Sequence, residues 1–262
     1  MSTATLPLTA PSTFEIFLSE TRYEFLRMLR TRTYSLSVIG FPVMFYILFG
    51  LLLNRGEHIG GVAVSRYLLG GYSVFGAMGA ALFGVGVGLA GDLSAGWLEL
   101  KRSSPMPPLA YLLAKCCTAM AFGVIIVSIL LTLGIAFGHA RFSATEIASL
   151  LGLTLAFAIP FACMGLVVAM LVPMNSAPGV TNLIYLPMSF LGGLWLPIDM
   201  LPTFLKHFAP VLPTYHAGQL MFIALNAPAY GSALTHWLYL AGFSCVMLGI
   251  ASLLFHRSEQ KS

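Results

Sequence analysis

Long runs of apolar residues dominate the sequence, and short segments between them carry most of the charged side chains. An uncharged run of roughly 20 residues has the length that a helix needs to cross the hydrocarbon layer of a bilayer. The two-residue alternation typical of a membrane β-barrel is absent. The pattern therefore predicts an all-α integral membrane protein with six transmembrane helices, at about 33–53, 67–91, 109–138, 144–172, 176–197 and 233–256.

The segment before the first span predicts a helix at the membrane surface. Residues 1–13 are polar and contain proline, so we expect a disordered cytosolic tail. Over 14–32 two faces recur near helical spacing: an apolar one with Phe14, Leu18, Phe25 and Leu29, and a charged one with Glu20, Glu24, Arg27 and Arg30. This interfacial helix either contacts a cytosolic partner or only anchors the chain to the membrane.

Four small residues repeat at every fourth position of the second span. Gly76, Ala80, Gly84 and Gly88 form a smooth stripe on one helix face, which allows another backbone to approach closely. The stripe predicts a tight helix contact for packing, either within this chain or with a second copy.

The loop between the second and third spans has the pattern of a short amphipathic helix. Residues 91–105 place Leu93, Trp97 and Leu100 on one side, and Asp92, Gly96, Glu99 and Ser103 on the other. Pro105, Pro107 and Pro108 end this helix before the third span. The alternative is a plain connecting loop that rests on the lipid headgroups.

Between Pro197 and the sixth span the chain stays mostly apolar but is interrupted by Pro202, Pro210 and Pro213. Since Phe204 and Phe208 keep the segment out of bulk water, we expect it to dip into the outer leaflet and return. A folded cap outside the membrane is the alternative.

Composition and charge agree with a membrane protein and give its orientation. The 262 residues are 58% hydrophobic and only 8% charged. Nine of the 13 Lys and Arg residues fall on one side of the predicted spans, which places both termini in the cytosol by the positive-inside rule. The net charge of +4 thus reflects topology and needs no nucleic acid to explain it. The four cysteines lie in apolar runs without metal-ligand spacing, as expected of packing residues.

The loop and the late proline-rich segment resemble ABC type-2 exporter permeases, the transmembrane subunits of ABC transporters. In the loop the matching residues are Asp92, Gly96, Glu99, Lys101, Arg102, Ser104 and Pro105. The late segment is Gly193-Leu194-Trp195-Leu196-Pro197, followed by Asp199, Leu201-Pro202, Pro210 and Pro213-Thr214. With the interfacial helix and six spans, the resemblance makes residues 14–262 a single ABC type-2 transmembrane domain.

The resemblance implies two functional regions. The loop would be a coupling helix that contacts a separate ATP-binding subunit through Asp92, Gly96, Trp97, Glu99 and Arg102. The segment before the last span would form an outer gate, with Trp195, Pro197, Tyr215 and His216 as candidate residues.

The expected partners follow from what the chain lacks. It has no GxxxxGKS or GxxxxGKT phosphate loop, so ATP and Mg²⁺ belong to the partner subunit, and we expect no cofactor, metal or catalytic site in this chain. The expected assembly has two ATP-binding subunits and two permease chains in the inner (plasma) membrane, a homodimer being the simplest pairing. A hydrophobic or amphipathic substrate, such as a lipid, drug, antibiotic or lipid-linked molecule, suits an interior without fixed charges.

Three other functions compete with an exporter. An ion-coupled carrier would place ionisable residues at mid-membrane, whereas the sequence places Lys115 and Glu146 near span ends. A membrane-embedded enzyme would need acids, bases or metal ligands there, and neither HExxH nor GxSxG occurs. A membrane scaffold without transport activity also fits the composition.

Overall fold

The computed structural model describes residues 12–53, 56–96, 108–138 and 140–259, and they are almost entirely helical. A capping box of Ser12 and Glu15 starts the first helix. The α-helices are α1 Thr13–Arg30, α2 Arg32–Phe45, α3 Val64–Ala81, α4 Gly88–Ser94, α5 Pro108–Ala136, α6 Ala144–Leu171, α7 Ala177–Leu191, α8 Thr203–Phe208, α9 Pro213–Ala224 and α10 Ala233–Glu259.

Two π-helical segments extend these helices. Tyr46–Leu52 continues α2, and Leu82–Val87 joins α3 to α4 without a break. A short hairpin pairs β1 His58–Ile59 with β2 Val62–Ala63. The two glycines of its turn, Gly60 and Gly61, have φ of +56° and +84°, as a tight primed turn requires.

Five helical segments of the described residues are long and apolar enough to cross a membrane, which makes the chain a multi-pass membrane protein. They are Arg32–Leu52, Val64–Ser94, Leu109–Ala136, Ala144–Leu171 and Ala233–Phe255. The predicted span at 176–197 corresponds to α7, which has only 15 residues. At 1.5 Å per residue it rises about 22 Å, less than the roughly 30 Å of the hydrocarbon layer. Six crossings therefore stay a prediction.

The centre of the bundle is α3, which is buried along nearly its whole length. Its neighbours are α2, α5, α6 and α9, while α10 packs mainly on α6. The large aromatic side chains Tyr72 and Phe75 are fully buried here. Because the second π-helical segment joins α3 to α4, the residues 64–94 form one continuous rod at the centre of the bundle. We call it the central rod.

The predicted small-residue stripe contacts other helices of the same chain; it comprises Gly76, Ala80, Gly84 and Gly88. A Cβ atom at Gly76 would lie 2.6 Å from Ile126 Cγ2, and one at Gly84 would lie 2.9 Å from the Tyr34 hydroxyl. A Cβ at Gly88 would meet Met28 Cε at 2.8 Å. The Ala80 carbonyl accepts a hydrogen bond from the Tyr34 hydroxyl. The stripe thus lets α1, α2 and α5 pack closely on the central rod.

A closer backbone approach occurs at two glycines outside that stripe. A Cβ at Gly165 of α6 would lie 3.0 Å from the backbone nitrogen of Gly86, in the second π-helical segment. A Cβ at Gly86 would in turn lie 3.2 Å from the Gly165 carbonyl oxygen. Here α6 crosses the central rod with no side chain between the two backbones.

The segment after Pro197 folds into short helices that return to the bundle. The 3₁₀ turn Ile198–Met200, α8 and the 3₁₀ turn Ala209–Val211 lead into α9, which is buried against α3, α6 and α10. Arg66, at the start of α3, donates to the Leu225 carbonyl just after α9. The end of the bundle with α9 is therefore opposite the end with Asp92. Insertion of this segment into a bilayer stays a prediction.

Candidate functional site

Four charged side chains and one phenol meet where α1, α4 and α5 come together. Glu24 and Arg27 come from α1, Asp92 from the last turn of α4, and Tyr111 and Lys115 from the first two turns of α5. Glu24 and Lys115 are each 2% exposed, and Asp92 is 6% exposed. We call these five residues the charge cluster. It lies directly beside the loop that joins the second and third spans.

Each cation of the cluster contacts both carboxylates. The Lys115 Nζ atom lies 2.6 Å from Glu24 Oε1 and 2.9 Å from Asp92 Oδ2. The Arg27 guanidinium lies 2.9 Å from Glu24 Oε1 and 2.9 Å from Asp92 Oδ1. The Tyr111 hydroxyl also donates to Asp92 Oδ2. Three separate helices are thereby held together through one hydrogen-bonded set with no net formal charge.

Of the two α1 members of the cluster, Glu24 is turned the opposite way from the sequence interpretation, whereas the Arg27 side chain keeps 38% of its surface exposed. Their spacing predicted a charged face exposed at the membrane surface, yet Glu24 is buried against α5. The exposed positions of α1 include the apolar residues Phe14, Leu18 and Leu29. The physical reason is that Lys115 and Asp92 compensate the buried charges, which would otherwise be too costly to desolvate.

The Arg27 guanidinium keeps its charge in this setting. Burial by itself lowers its pKa, but the hydrogen bond to Asp92 and the Glu24 carboxylate raise it, and the pKa ends above its ordinary value. Arg27 therefore acts as a permanent cation that cross-links α1 to α4.

The structure places Asp92 and Gly96 at a helix end rather than inside a separate loop helix. α4 ends at Ser94, and Gly96 has φ of +69°, the left-handed conformation that follows many helix ends. The Gly96 N–H donates to the Leu93 carbonyl at 3.2 Å. Trp97, Glu99 and Arg102, the other predicted coupling residues, lie outside the described residues.

A cavity of about 630 Å³ borders the charge cluster between α1, α2, the rod α3–α4 and α7. Arg27 and Asp92 line it at the cluster end, and Tyr185 lines it farther along the rod. Its walls combine polar side chains, among them Thr33, Ser37 and Asn182, with the apolar Val38, Phe41 and Phe83. The cavity therefore offers both polar and apolar contacts along its lining.

The four predicted gate residues fall into two groups. Trp195 is half-buried and packs on Phe45 and Phe75, with ring centroids 4.8 and 5.5 Å apart. Tyr215 instead packs with Ile198, Leu201 and Ala209, and His216 hydrogen-bonds His236 of α10. Pro197 is buried at the start of the first 3₁₀ turn. Their role as a gate stays a prediction.

Sequence inspection missed the charge cluster because its members are up to 91 positions apart, the separation between Glu24 and Lys115. One signal was present. Lys115 lies within the apolar run 109–138, and an ionisable residue in such a run calls for a partner.

Two comparisons with known proteins cover most of the chain, and the first of them includes the charge cluster and the cavity. Residues 16–226 match the protein family described as ABC-2 type transporter. The chain is also 26% identical over 196 residues to the "Putative transport permease YvfS" of Bacillus subtilis (strain 168). That match covers 74% of this chain and 79% of the relative.

Proposed function

Because this chain belongs to the ABC-2 type transporter family, we propose that it is the transmembrane permease subunit of an ATP-driven exporter. A separate polypeptide binds and hydrolyses ATP with Mg²⁺, since the sequence has no phosphate loop. The observation that carries the proposal is the charge cluster, which ties α1 to both helix ends that flank the loop 95–107.

The charge cluster explains how a push on the loop would reach the membrane. A partner that moves the loop displaces the end of α4 and the start of α5, and the ion pairs carry α1 along with them. Packed helices move as rigid bodies in such transitions. Arg27 and Asp92 also line the cavity, so the same movement changes its width.

The cavity supports a hydrophobic or amphipathic substrate. The cationic and anionic groups at its end, Arg27 and Asp92, pair with each other and leave no net charge for a small ion. Threonine, serine and asparagine side chains on an apolar wall suit a lipid, a drug, an antibiotic or a lipid-linked molecule. Outward transport by alternating access fits this lateral site.

The working unit has two permease chains and two ATP-binding subunits in the inner (plasma) membrane, with both termini in the cytosol. α7, beside the cavity, exposes Leu183, Leu186 and Phe190, and this apolar face is open to lipid or to a second copy of the chain. A two-fold axis along the membrane normal pairs the copies around a shared path.

Co-purification tests this assembly. The full-length chain is expressed together with its proposed ATP-binding partner, extracted in nanodiscs, and weighed by native mass spectrometry. We expect a particle with two copies of each polypeptide. Permease chains that purify without the ATP-binding subunit, or an active particle with one permease, would contradict the proposal.

A further inference from the structure

Two histidine rings meet inside the contact between α9 and α10, at the end of the bundle opposite the charge cluster. His216 is 5% exposed and His236 is 2% exposed. Their Nδ1 atoms lie 2.8 Å apart. Neither ring has a role in the transport mechanism proposed above.

The outer nitrogen of each ring contacts a backbone carbonyl. His216 Nε2 lies 2.8 Å from the Pro210 carbonyl oxygen, and His236 Nε2 lies 2.7 Å from the Tyr230 carbonyl oxygen. A carbonyl oxygen can only accept a hydrogen bond, so each Nε2 atom carries a proton and donates it. Both Nδ1 atoms of neutral rings would then present lone pairs to each other.

Two facing lone pairs repel each other unless a cation lies between them. The 2.8 Å distance between the two Nδ1 atoms fits a proton. Two nitrogens 2.8 Å apart have the spacing of an N–H···N hydrogen bond. Two imidazole nitrogens on one tetrahedral zinc ion, at about 2.05 Å each, would be about 3.3 Å apart. The pair thus carries three ring protons on four nitrogens and one positive charge.

The surrounding residues hold this geometry. The Tyr239 ring stacks on His216 with centroids 3.8 Å apart, and its hydroxyl donates to the Val211 carbonyl. Gly231, with φ of +79°, makes the turn that brings the Tyr230 carbonyl to His236, and a Cβ there would lie 3.2 Å from His236 Nε2. Both Nε2 contacts thus depend on specific backbone turns.

We propose that His216 and His236 form a buried binding site for a single shared proton, which fastens α9 to α10 and makes this contact sensitive to pH. The site acts on the segment between α7 and the last span. It is independent of ATP coupling at the other end of the bundle.

The ionisable groups around the pair are compatible with one positive charge. Tyr215 on α9 and Tyr239 on α10 face the rings and are phenols. The Tyr230 hydroxyl donates to Asp199, which places a carboxylate beyond the carbonyl that His236 contacts.

The remaining ionisable groups near the pair lie on the surrounding helices. α8 carries Lys206 and His207, and the His207 ring contacts the Thr203 carbonyl. Elsewhere around α9, Arg66 of α3 pairs with Glu146 of α6, and Tyr185 of α7 donates to the Phe75 carbonyl.

A second added proton would break the contact. Burial lowers the pKa of His216 and a charge on His236 lowers it further, although the hydrogen bond to Pro210 acts in the other direction. The contact is therefore lost as the pH falls through this lowered pKa, because two charged rings repel each other. It is also weakened at high pH, where the shared proton leaves and the two Nδ1 lone pairs face each other.

Nitrogen-15 NMR of the full-length chain, labelled at histidine and held in nanodiscs, tests the site. During a titration downward through the ordinary histidine pKa of about 6.5, both Nε2 atoms should stay protonated, and at an intermediate pH one further proton should couple to both Nδ1 atoms. This signal should disappear on acidification and in His216→Gln or His236→Gln. It should persist in the control His207→Gln, and in Tyr239→Phe, which keeps the stacked ring.

Three results would overturn the proposal. The first is a pair that passes from neutral to doubly charged with no shared-proton signal at any pH, one Nε2 atom being unprotonated in the neutral pair. The second is a shared-proton signal that persists unchanged far below the ordinary histidine pKa. The third is loss of the shared proton on addition of zinc, with both Nδ1 signals shifted, which would identify a metal site instead. Because the wild-type spectrum decides the first and third results, they do not depend on the variants folding.

Discussion

At the residue scale, we expect substitution of Lys115 to reduce stability most, because this side chain neutralises two carboxylates while it is almost fully buried. A buried ion pair adds little stability relative to an apolar replacement, since both charges must leave water. Removing one partner is different, because the remaining charges stay buried without compensation. The charge cluster should therefore respond strongly to a single substitution and weakly to a balanced pair.

Lys115→Met should destabilise the protein by about 3 kcal/mol or more. The double variant with Glu24→Gln and Lys115→Met should recover most of this loss, since Arg27 and Asp92 remain as a matched pair. Denaturant unfolding in mixed micelles measures both. Arg30→Met, at the exposed end of α1, is the matched control and should change stability little. Equal losses for Lys115→Met and the control would refute the role of the cluster.

Hydropathy alone predicted which segments are helical, but the partners of individual charges could not be predicted. The predicted span at 67–91 corresponds to Val64–Ser94, whereas the lone lysine of the third run was placed near a span end and its burial was not predicted. Glu24 was misplaced because its spacing from Arg27 fits an exposed charged face equally well. Burial depended on Asp92 and Lys115, which the fold brings from distant parts of the sequence.

At the element scale, the end of α4 matters for both the backbone structure and the proposed function, because Gly96 follows the helix and is also a proposed partner contact. Gly96 adopts a left-handed conformation, so its first requirement is to end the helix. Among the described residues, no atom would lie within 4 Å of a Cβ at Gly96. Sequence inspection treated Gly96 as a notch for a partner, and the helix end is a second reason for glycine that a pattern of faces does not reveal.

Substitutions at Gly96 separate these two roles. Gly96→Ala and Gly96→Leu should each cost about 1–2 kcal/mol of stability, since both strain the same backbone conformation, and Gly96→Asn should cost less. If the loop contacts the ATP-binding subunit here, Gly96→Leu should weaken binding of that subunit about tenfold relative to Gly96→Ala, or about 1.4 kcal/mol. Titration of the subunit onto nanodiscs measures this. Equal binding by the two variants would leave Gly96 with the helix end alone.

Helix packing shows the same division between what was and was not predictable. The stripe from Gly76 to Gly88 was evident from its spacing, and it contacts α1, α2 and α5. The backbone contact between Gly86 and Gly165 could not be predicted from the sequence, because a single glycine in each of two helices forms no repeating pattern. The short length of α7 was also hidden, because the apolar run continues past Leu191 into a turn.

At the scale of the whole molecule, the account joins three regions of one bundle. In the proposed function, the segment 95–107 would contact a partner and the cavity beside the charge cluster would hold the substrate, while the charge cluster itself joins α1, α4 and α5. The opposite end, with α9 and the histidine pair, closes the bundle. The proposal is that this chain supplies the movement and the path, and that another polypeptide supplies the energy.

Hydrolysis of ATP by defined nanodisc particles tests that central claim most directly. Three samples are compared at equal concentration. They are the isolated full-length chain, its isolated ATP-binding partner, and the complex of the two. We predict no hydrolysis above background by the chain alone, and a higher rate per ATP-binding subunit in the complex than in the isolated subunit. Hydrolysis by the purified chain alone, or a complex no faster than the isolated subunit, would contradict the account.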